Sequence, residues 1–245
     1  MHKTTIARLA AVLVLAMPLA ACDALQPLNE DNIIARSIEQ EPWMAPLYEV
    51  FEREFPEEFA EYKRLMLAQA QSGRSEVENF EFGRNFMLQF MADNAQHFSS
   101  APDAELFATR DATLRVIEML AEEETRYCAN FTMTGLQAYD QPSRPAMNLL
   151  GQATAAQLRA VAAGKRNPVA RELADEADFI AFADALEAEG MTTAEVDDML
   201  GGGNGLMYNG PEYQCRAGLA IHRALVRVPD DTSARLSAML LNPAG

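Results

Sequence analysis

The side chains able to do chemistry are few. The 245-residue chain holds three cysteines (Cys22, Cys128 and Cys215), and beyond the first few residues its histidines are His97 and His222. Neither histidine belongs to an HExxH or Glu-x-x-His pattern and no CxxC occurs, so no metal site is expected. His97 follows Asp93 by four residues near a predicted helix C-terminus. A protonated imidazole suits the helix dipole there, so His97 reads as a surface capping residue. His222 shares an apolar face with Cys215 and reads as a hydrogen-bonded core histidine. No Gly-x-Ser-x-Gly elbow is present, and two histidines leave little scope for a nucleophile–base pair. The run Gly201–Gly205 (GGGNG) lacks the Gly-Lys-Ser/Thr ending of a phosphate cradle and lies beside Asp197 and Asp198,. These patterns assign no catalytic residue, no metal and no cofactor.

Cys22 stands in a different setting. His2, Lys3 and Arg8 form a basic start, Leu9 to Met17 an apolar run, and Ala20-Ala21-Cys22 a small-residue close. That run is shorter than the about 20 apolar residues of a spanning helix. It has the proportions of a secretory signal. The residues Leu19-Ala20-Ala21-Cys22 resemble the lipobox of bacterial lipoprotein precursors. The resemblance implies that residues 1–21 are removed and that Cys22 carries acyl chains such as palmitate. It also implies a mature chain anchored in the bacterial cell envelope and facing the periplasm. Asp23, directly after the lipidated position, favours the inner membrane. The resemblance covers the signal alone and leaves the mature domain unassigned.

With Cys22 used as an anchor, Cys128 and Cys215 remain as an even pair in an exported chain. An oxidising compartment makes a disulfide the expected state. Ile117, Leu120, Ala121 and Cys128 share one side of a predicted helix, and Cys215, Leu219, His222 and Val226 share one side of another. Two core-facing cysteines from distant helices can meet inside the domain.

Three further patterns involve partners. Arg216, Arg223 and Arg227 form one stripe in an otherwise acidic chain, expected either to pair with acidic helices of the same domain or to act as an interaction strip. Glu122-Glu123-Glu124 reads as a solvated face, with Glu122 and Arg126 as an i,i+4 pair. Phe82, Phe86 and Phe90 recur every four residues beside Met87 and Met91, a stripe expected to pack on a neighbouring helix. The same stripe is the basis of a carrier reading, with a hydrophobic ligand as cargo.

The segments Gly205-Leu206-Met207 and Tyr208-Asn209-Gly210-Pro211 resemble two short signatures of lytic transglycosylases, helical enzymes that cleave peptidoglycan. The resemblance implies Glu189 as the general acid and base of that chemistry. Gly190 replaces the serine that usually follows the family's glutamate, and the two signatures abut here instead of lying far apart.

The elements that must position these residues are helical. Helices are predicted at about 44–54, 57–72, 76–98, 103–131, 146–164, 168–188, 193–200, 212–227 and 231–241. Ser75-x-x-Glu78 and Thr192-x-x-Glu195 have the capping-box form. Pro56, Pro102, Pro168 and Pro211 stand at expected first turns. Two-residue alternation is absent, so the fold class is all-α.

The expected organisation is a signal at 1–21, a lipidated Cys and tether at 22–42 with a short helix near 33–39, and one all-α domain of about eight or nine helices at 43–245. Tyr139–Pro145 is the best internal boundary. Removing the signal takes away Lys3 and Arg8 and no acid, which leaves 18 basic against 36 acidic residues. Such a charge argues against nucleic acid as a partner. The expected function is a non-enzymatic, lipid-anchored module that binds a protein or envelope component. The peptidoglycan-cleaving enzyme and the carrier are the alternatives.

Overall fold

The computed structural model describes residues 27–201 and 209–241, and Cys22 with its lipobox lies outside them. The described residues are all-helical. The order is α1 (Ile33–Gln40), a 3-10 turn (Pro42–Met44), α2 (Ala45–Glu54), α3 (Pro56–Gln71), α4 (Glu76–Asp93), α5 (Ala95–Ser99) and α6 (Asp103–Glu123). It continues with α7 (Thr125–Met133), α8 (Arg144–Arg166), α9 (Glu176–Ala188), α10 (Thr193–Leu200), α11 (Pro211–Arg227) and α12 (Asp230–Leu240). The helix expected in the tether is α1; its Ile33 is buried, and Ile34 and Ile38 pack on the core beside Met44.

The composition of α8 makes it the hub. Gly151, Ala153, Ala155, Ala156, Ala160, Ala162, Ala163 and Gly164 are all buried, a surface of small residues that lets neighbours approach to backbone distance. A Cβ on Gly151 would lie 2.0 Å from the Trp43 carbonyl oxygen, and one on Gly164 would lie 1.8 Å from that of His97. The 3-10 turn, α2, α5 and α6 all pack on this helix.

One core cluster joins α2, α3, α4 and α5 to α8, with Phe51 fully buried among Phe55, Phe59, Tyr62 and Phe90. A second surrounds Cys128 and Cys215, and a third joins α9, α10, α11 and α12 around Phe182, Leu186, Leu225 and Leu236.

The helix N-termini follow local chemistry. Ser75 and Thr192 form the expected capping boxes with Glu78 and Glu195, and Pro56 and Pro211 open α3 and α11. Three predicted helices are corrected. The segment 76–98 breaks at Asn94, whose side-chain amide donates to the Phe90 carbonyl at 2.8 Å and satisfies a helix-end acceptor,. The segment 103–131 breaks at Glu124, which adopts extended backbone (φ −158°, ψ 125°) with no Gly or Pro to mark it.

The segment 168–188 is helical only from Glu176. Before it, Arg171 donates to the carbonyls of Ser99 (2.7 Å) and Ala101 (2.9 Å) and pairs with Asp103, while the Val169 amide donates to the Ser100 carbonyl. Those contacts hold the segment outside any helix, so Pro168 opens none; the Asp175–Asp178 capping box then starts α9. Pro102 is the N-cap residue of α6, one position before its first turn.

The expected internal boundary is tied down at both ends. Asp140, its side chain fully buried, accepts from Arg126, Asn130 and the Gln137 amide, and Ser143 donates to Glu123. Arg126 therefore pairs with Glu124 and Asp140 rather than with Glu122, because the break at Glu124 removes the i,i+4 register.

Gly164→Ala should cost about 2–3 kcal/mol, since its methyl has only backbone to displace. Gly83→Ala, whose methyl would meet nothing nearer than the Tyr62 hydroxyl at 3.6 Å, should be neutral or stabilise by up to about 1 kcal/mol, as Ala is the better helix former. Urea denaturation of the two variants measures the contrast.

Candidate functional site

Most of the residues singled out for their chemistry come together on α11. Cys128 of α7 and Cys215 of α11 form a disulfide, with Cα atoms 5.2 Å apart and 87 positions between them in sequence. One turn further along, Gly218 faces Thr132, where a Cβ would lie 2.4 Å from the threonine methyl. Thr132 in turn donates to the Cys128 carbonyl at 2.7 Å. The covalent link and the glycine contact therefore act on the same interface, α7 against α11. Ile117, Leu120 and Cys128 share this core although they sit on two helices, α6 and α7. Cys128 is fully buried, whereas Cys215 borders solvent.

Beside the bridge lies an open groove of about 230 Å³ lined by Thr125, Glu189, Glu212, Cys215, Arg216 and Arg223. The arginine stripe is closed into ion pairs with three other elements. Arg216 pairs with Glu195 of α10, and Arg223 donates to Glu118 of α6 at 2.8 Å. Arg227 donates twice to Glu189, the C-cap residue of α9, at 2.5 and 3.0 Å. The intramolecular pairing that the stripe left open is thus present in all three cases. Arg216 holds the Glu195 carboxyl at about 2, helped by the Thr192 amide. Glu189 lines the groove, but a guanidinium occupies its carboxylate. Gly205, Leu206, Met207 and Tyr208, which carry most of the transglycosylase-like signature, lie outside the described residues.

The other candidates fall elsewhere. His97 lies in the last turn of α5 as expected, but the break at Asn94 separates it from Asp93, which accepts from Gln89 instead. His222, expected as a hydrogen-bonded core residue, is half-buried, and its enclosed Nδ1 has no hydrogen-bond partner. Burial alone holds its imidazole down at about 4, against an ordinary 6.5,. Val226, expected on the same buried side as Cys215, is exposed; the covered face of α11 runs through Ala217, Ala220, Ala224 and Leu225.

Phe86 and Phe90 pack in the first core, their rings 4.9 Å from those of Tyr62 and Phe55 respectively. Phe82 is half-buried. Among the described residues no cluster of three or more His, Cys, Asp or Glu side chains is placed to share a metal ion, and no helix is long and apolar enough to cross a membrane.

Two polar anchors escaped the sequence reading. Asp178 is buried at the third position of α9, accepting from Thr232 at 2.7 Å and from Arg235 at 2.6 and 2.7 Å. Arg235 foremost, with Thr232 and the Asp175 amide, holds its carboxyl far below the usual range. Arg110 of α6, also buried, donates to Ser233 (2.7 Å) and to the Leu225 carbonyl (3.3 Å), joining α6, α11 and α12. The Asp175-x-x-Asp178 spacing was a legible capping signal for the first. Nothing local marks the second.

The groove is charge-balanced. It can recognise a ligand by hydrogen bonds, but it presents no nucleophile–base pair.

His222 sets a pH dependence with a definite sign. Above pH 6.5 the imidazole is neutral in both folded and unfolded chains, so stability is at its full value. As pH falls from 6.5 towards 4 the unfolded chain takes up a proton that the folded one refuses. The chain should lose up to about 3 kcal/mol across that window. Urea midpoints of His222→Leu should be much flatter there, leaving only the carboxylate-linked loss nearer pH 2–4. Compared with known protein families, curated proteins and solved structures, the chain matches none.

Proposed function

We propose that the chain is a lipid-anchored bacterial envelope protein whose helical domain binds another protein or an envelope component and catalyses no reaction. The observation that carries this reading is the Cys128–Cys215 bridge. Disulfides persist where the surroundings are oxidising, and the remaining cysteine, Cys22, sits in a lipobox-like signal. An odd cysteine count then resolves into one anchor and one bridge. Acyl chains on Cys22 would hold the domain at the periplasmic face, with the inner membrane favoured by Asp23.

Binding is preferred to catalysis because Glu189, Arg216 and Arg223 of the groove are already engaged in ion pairs with other elements. A general acid must keep its proton until the leaving group needs it. Glu189 instead accepts two hydrogen bonds from Arg227. The carrier reading loses Phe86 and Phe90, which fill the first core.

Cys22→Ser should move the protein from the membrane fraction to a soluble or unprocessed form and abolish labelling by a tagged palmitate. Unchanged fractionation without label would sink the anchoring reading. Purified protein incubated with peptidoglycan sacculi should release no anhydromuropeptides; their release would move the assignment to the enzyme.

A further inference from the structure

We propose that the α3–α4 hairpin is the docking surface of this protein, and that its occupant is a basic, apolar-faced helix of a partner protein lying in the groove between the two helices. The inference rests on the binding-module reading above and names its surface and its partner chemistry.

The first observation is an incompletely covered apolar skin. Among residues 63–75 and 77–89 none is buried, although Leu65, Met66, Leu67, Val77, Phe80, Phe82, Phe86, Met87 and Leu88 all lie there. Leu65, Phe82 and Phe86 lie on the groove side of their helices and stay half-buried, while Val77 (56% exposed) and Leu88 (50%) lie on the far side of α4,. The 18-residue α4 buries Phe90 and Met91 alone, both near its C-terminus, whereas the 23-residue α8 buries eleven residues. Isolated helices of this length are marginal, and most helical stability in proteins comes from packing an apolar face. The Ser75–Glu78 capping box starts α4 correctly, but Tyr62 and the first core cover its Phe82–Phe86 side only in part. Apolar surface of this kind marks an interaction site.

The second observation is the charge around the base of the hairpin. There, α3 and α4 enclose a groove of about 430 Å³ with Phe86 and Phe90 at its floor. Its rim is Glu57, Glu58, Glu61 and Asp93, and no lysine or arginine lines it. Arg64 engages Glu61, and Gln89 donates to Asp93 at 2.8 Å.

Helix dipoles explain part of this rim and not the rest. Glu57 and Glu58 occupy the first turn of α3, where anions are favourable. Asp93 is the last residue of α4, where an anion meets the negative end of the dipole and no basic residue accompanies it,. A cation brought by a partner would offset that unfavourable placement.

The occupant follows from these two features together. The hairpin at 56–93 carries seven acidic and four basic residues, within a chain of net charge −16. A second copy, or an anionic bilayer, would bring like charge to the rim. A helix with an apolar stripe flanked by lysine or arginine would cover the Phe floor and meet the four carboxylates. This is helix-in-groove recognition with charge complementarity.

The test uses the full mature chain with Cys22→Ser, which removes only the acyl anchor, so docking and anchoring can fail independently. The probe is a dye-labelled 18-residue amphipathic peptide of lysine and leucine, with a glutamate–leucine counterpart as its control. Anisotropy should give saturable binding at least about tenfold tighter for the basic peptide, and hydrogen exchange should show protection within 56–93.

The variant E57Q/E58Q/E61Q/D93N should weaken binding about tenfold, while E122Q/E187Q/D197N/D198N, which removes four charges elsewhere, should change it less than about twofold. Asp93→Asn alone relieves an unfavourable helix end, so with an unchanged urea midpoint a loss of binding in that variant reports on docking and not on folding. Equal loss in the two fourfold variants, protection outside the hairpin, or no binding of the basic peptide would each overturn the proposal. Hairpin protection by self-association without peptide, or by anionic vesicles, would overturn it in favour of a second copy or a membrane.

Discussion

How closely other helices can approach α8 governs the rest of the fold. With glycine at 151 and 164 and alanine along most of its buried surface, α8 lets the carbonyls of Trp43 and His97 sit where a side chain would otherwise be. Dispersion falls off steeply with distance, so such contact gains a great deal from small residues. It also makes the interface intolerant of a single added methyl. The N-terminal helices and α6 are positioned by this surface, and α6 then carries the position across to α7, α11 and α12.

A second set of constraints locks the C-terminal helices onto that frame, and it is polar and covalent. The Cys128–Cys215 bridge and the Gly218–Thr132 contact hold α7 to α11. Asp178 holds α9 to α12, and Arg110 holds α6 to both α11 and α12. In the chain-entropy view a bridge closing so long a loop stabilises by about 4–5 kcal/mol. The ion pairs of Arg216, Arg223 and Arg227 are more exposed and add less each, but they orient α11 against α10, α6 and the end of α9. An acidic chain with few cations has used its arginines where several helices meet.

The same allocation leaves the α3–α4 hairpin distinct. Its apolar residues have neither the small-residue contact of α8 nor the polar locks of the C-terminal half, and of the carboxylates that rim its groove Glu61 is paired, with Arg64. A domain that closes its charges internally at α11 and leaves them open beside α4 presents two different faces to its surroundings. The proposed docking helix addresses the open one.

The sequence by itself determined the fold class, most helix starts and the pairing of the two domain cysteines. All of these depend on interactions a few residues apart or on composition: the 3.6-residue period, the Ser75 and Thr192 capping boxes, Pro56 and Pro211 at first turns, and the two cysteines left once Cys22 is set aside with its lipobox-like segment. Tertiary structure decided where apolar periodicity stops meaning one helix. Phe90, Met91 and Phe98 run through the break at Asn94 without a gap in pattern, and Glu124 breaks α6 from α7 with no residue of special backbone preference. Only the tertiary structure decided that Arg171 would hold 168–175 out of a helix and that the arginine stripe would find Glu195, Glu118 and Glu189. It also decided that Phe86 and Phe90 would pack in the first core while Val77, Phe80 and Leu88 of the same helix stay exposed. Each of those outcomes depends on which distant carbonyl, carboxylate or ring comes within contact distance, and no local pattern encodes that distance.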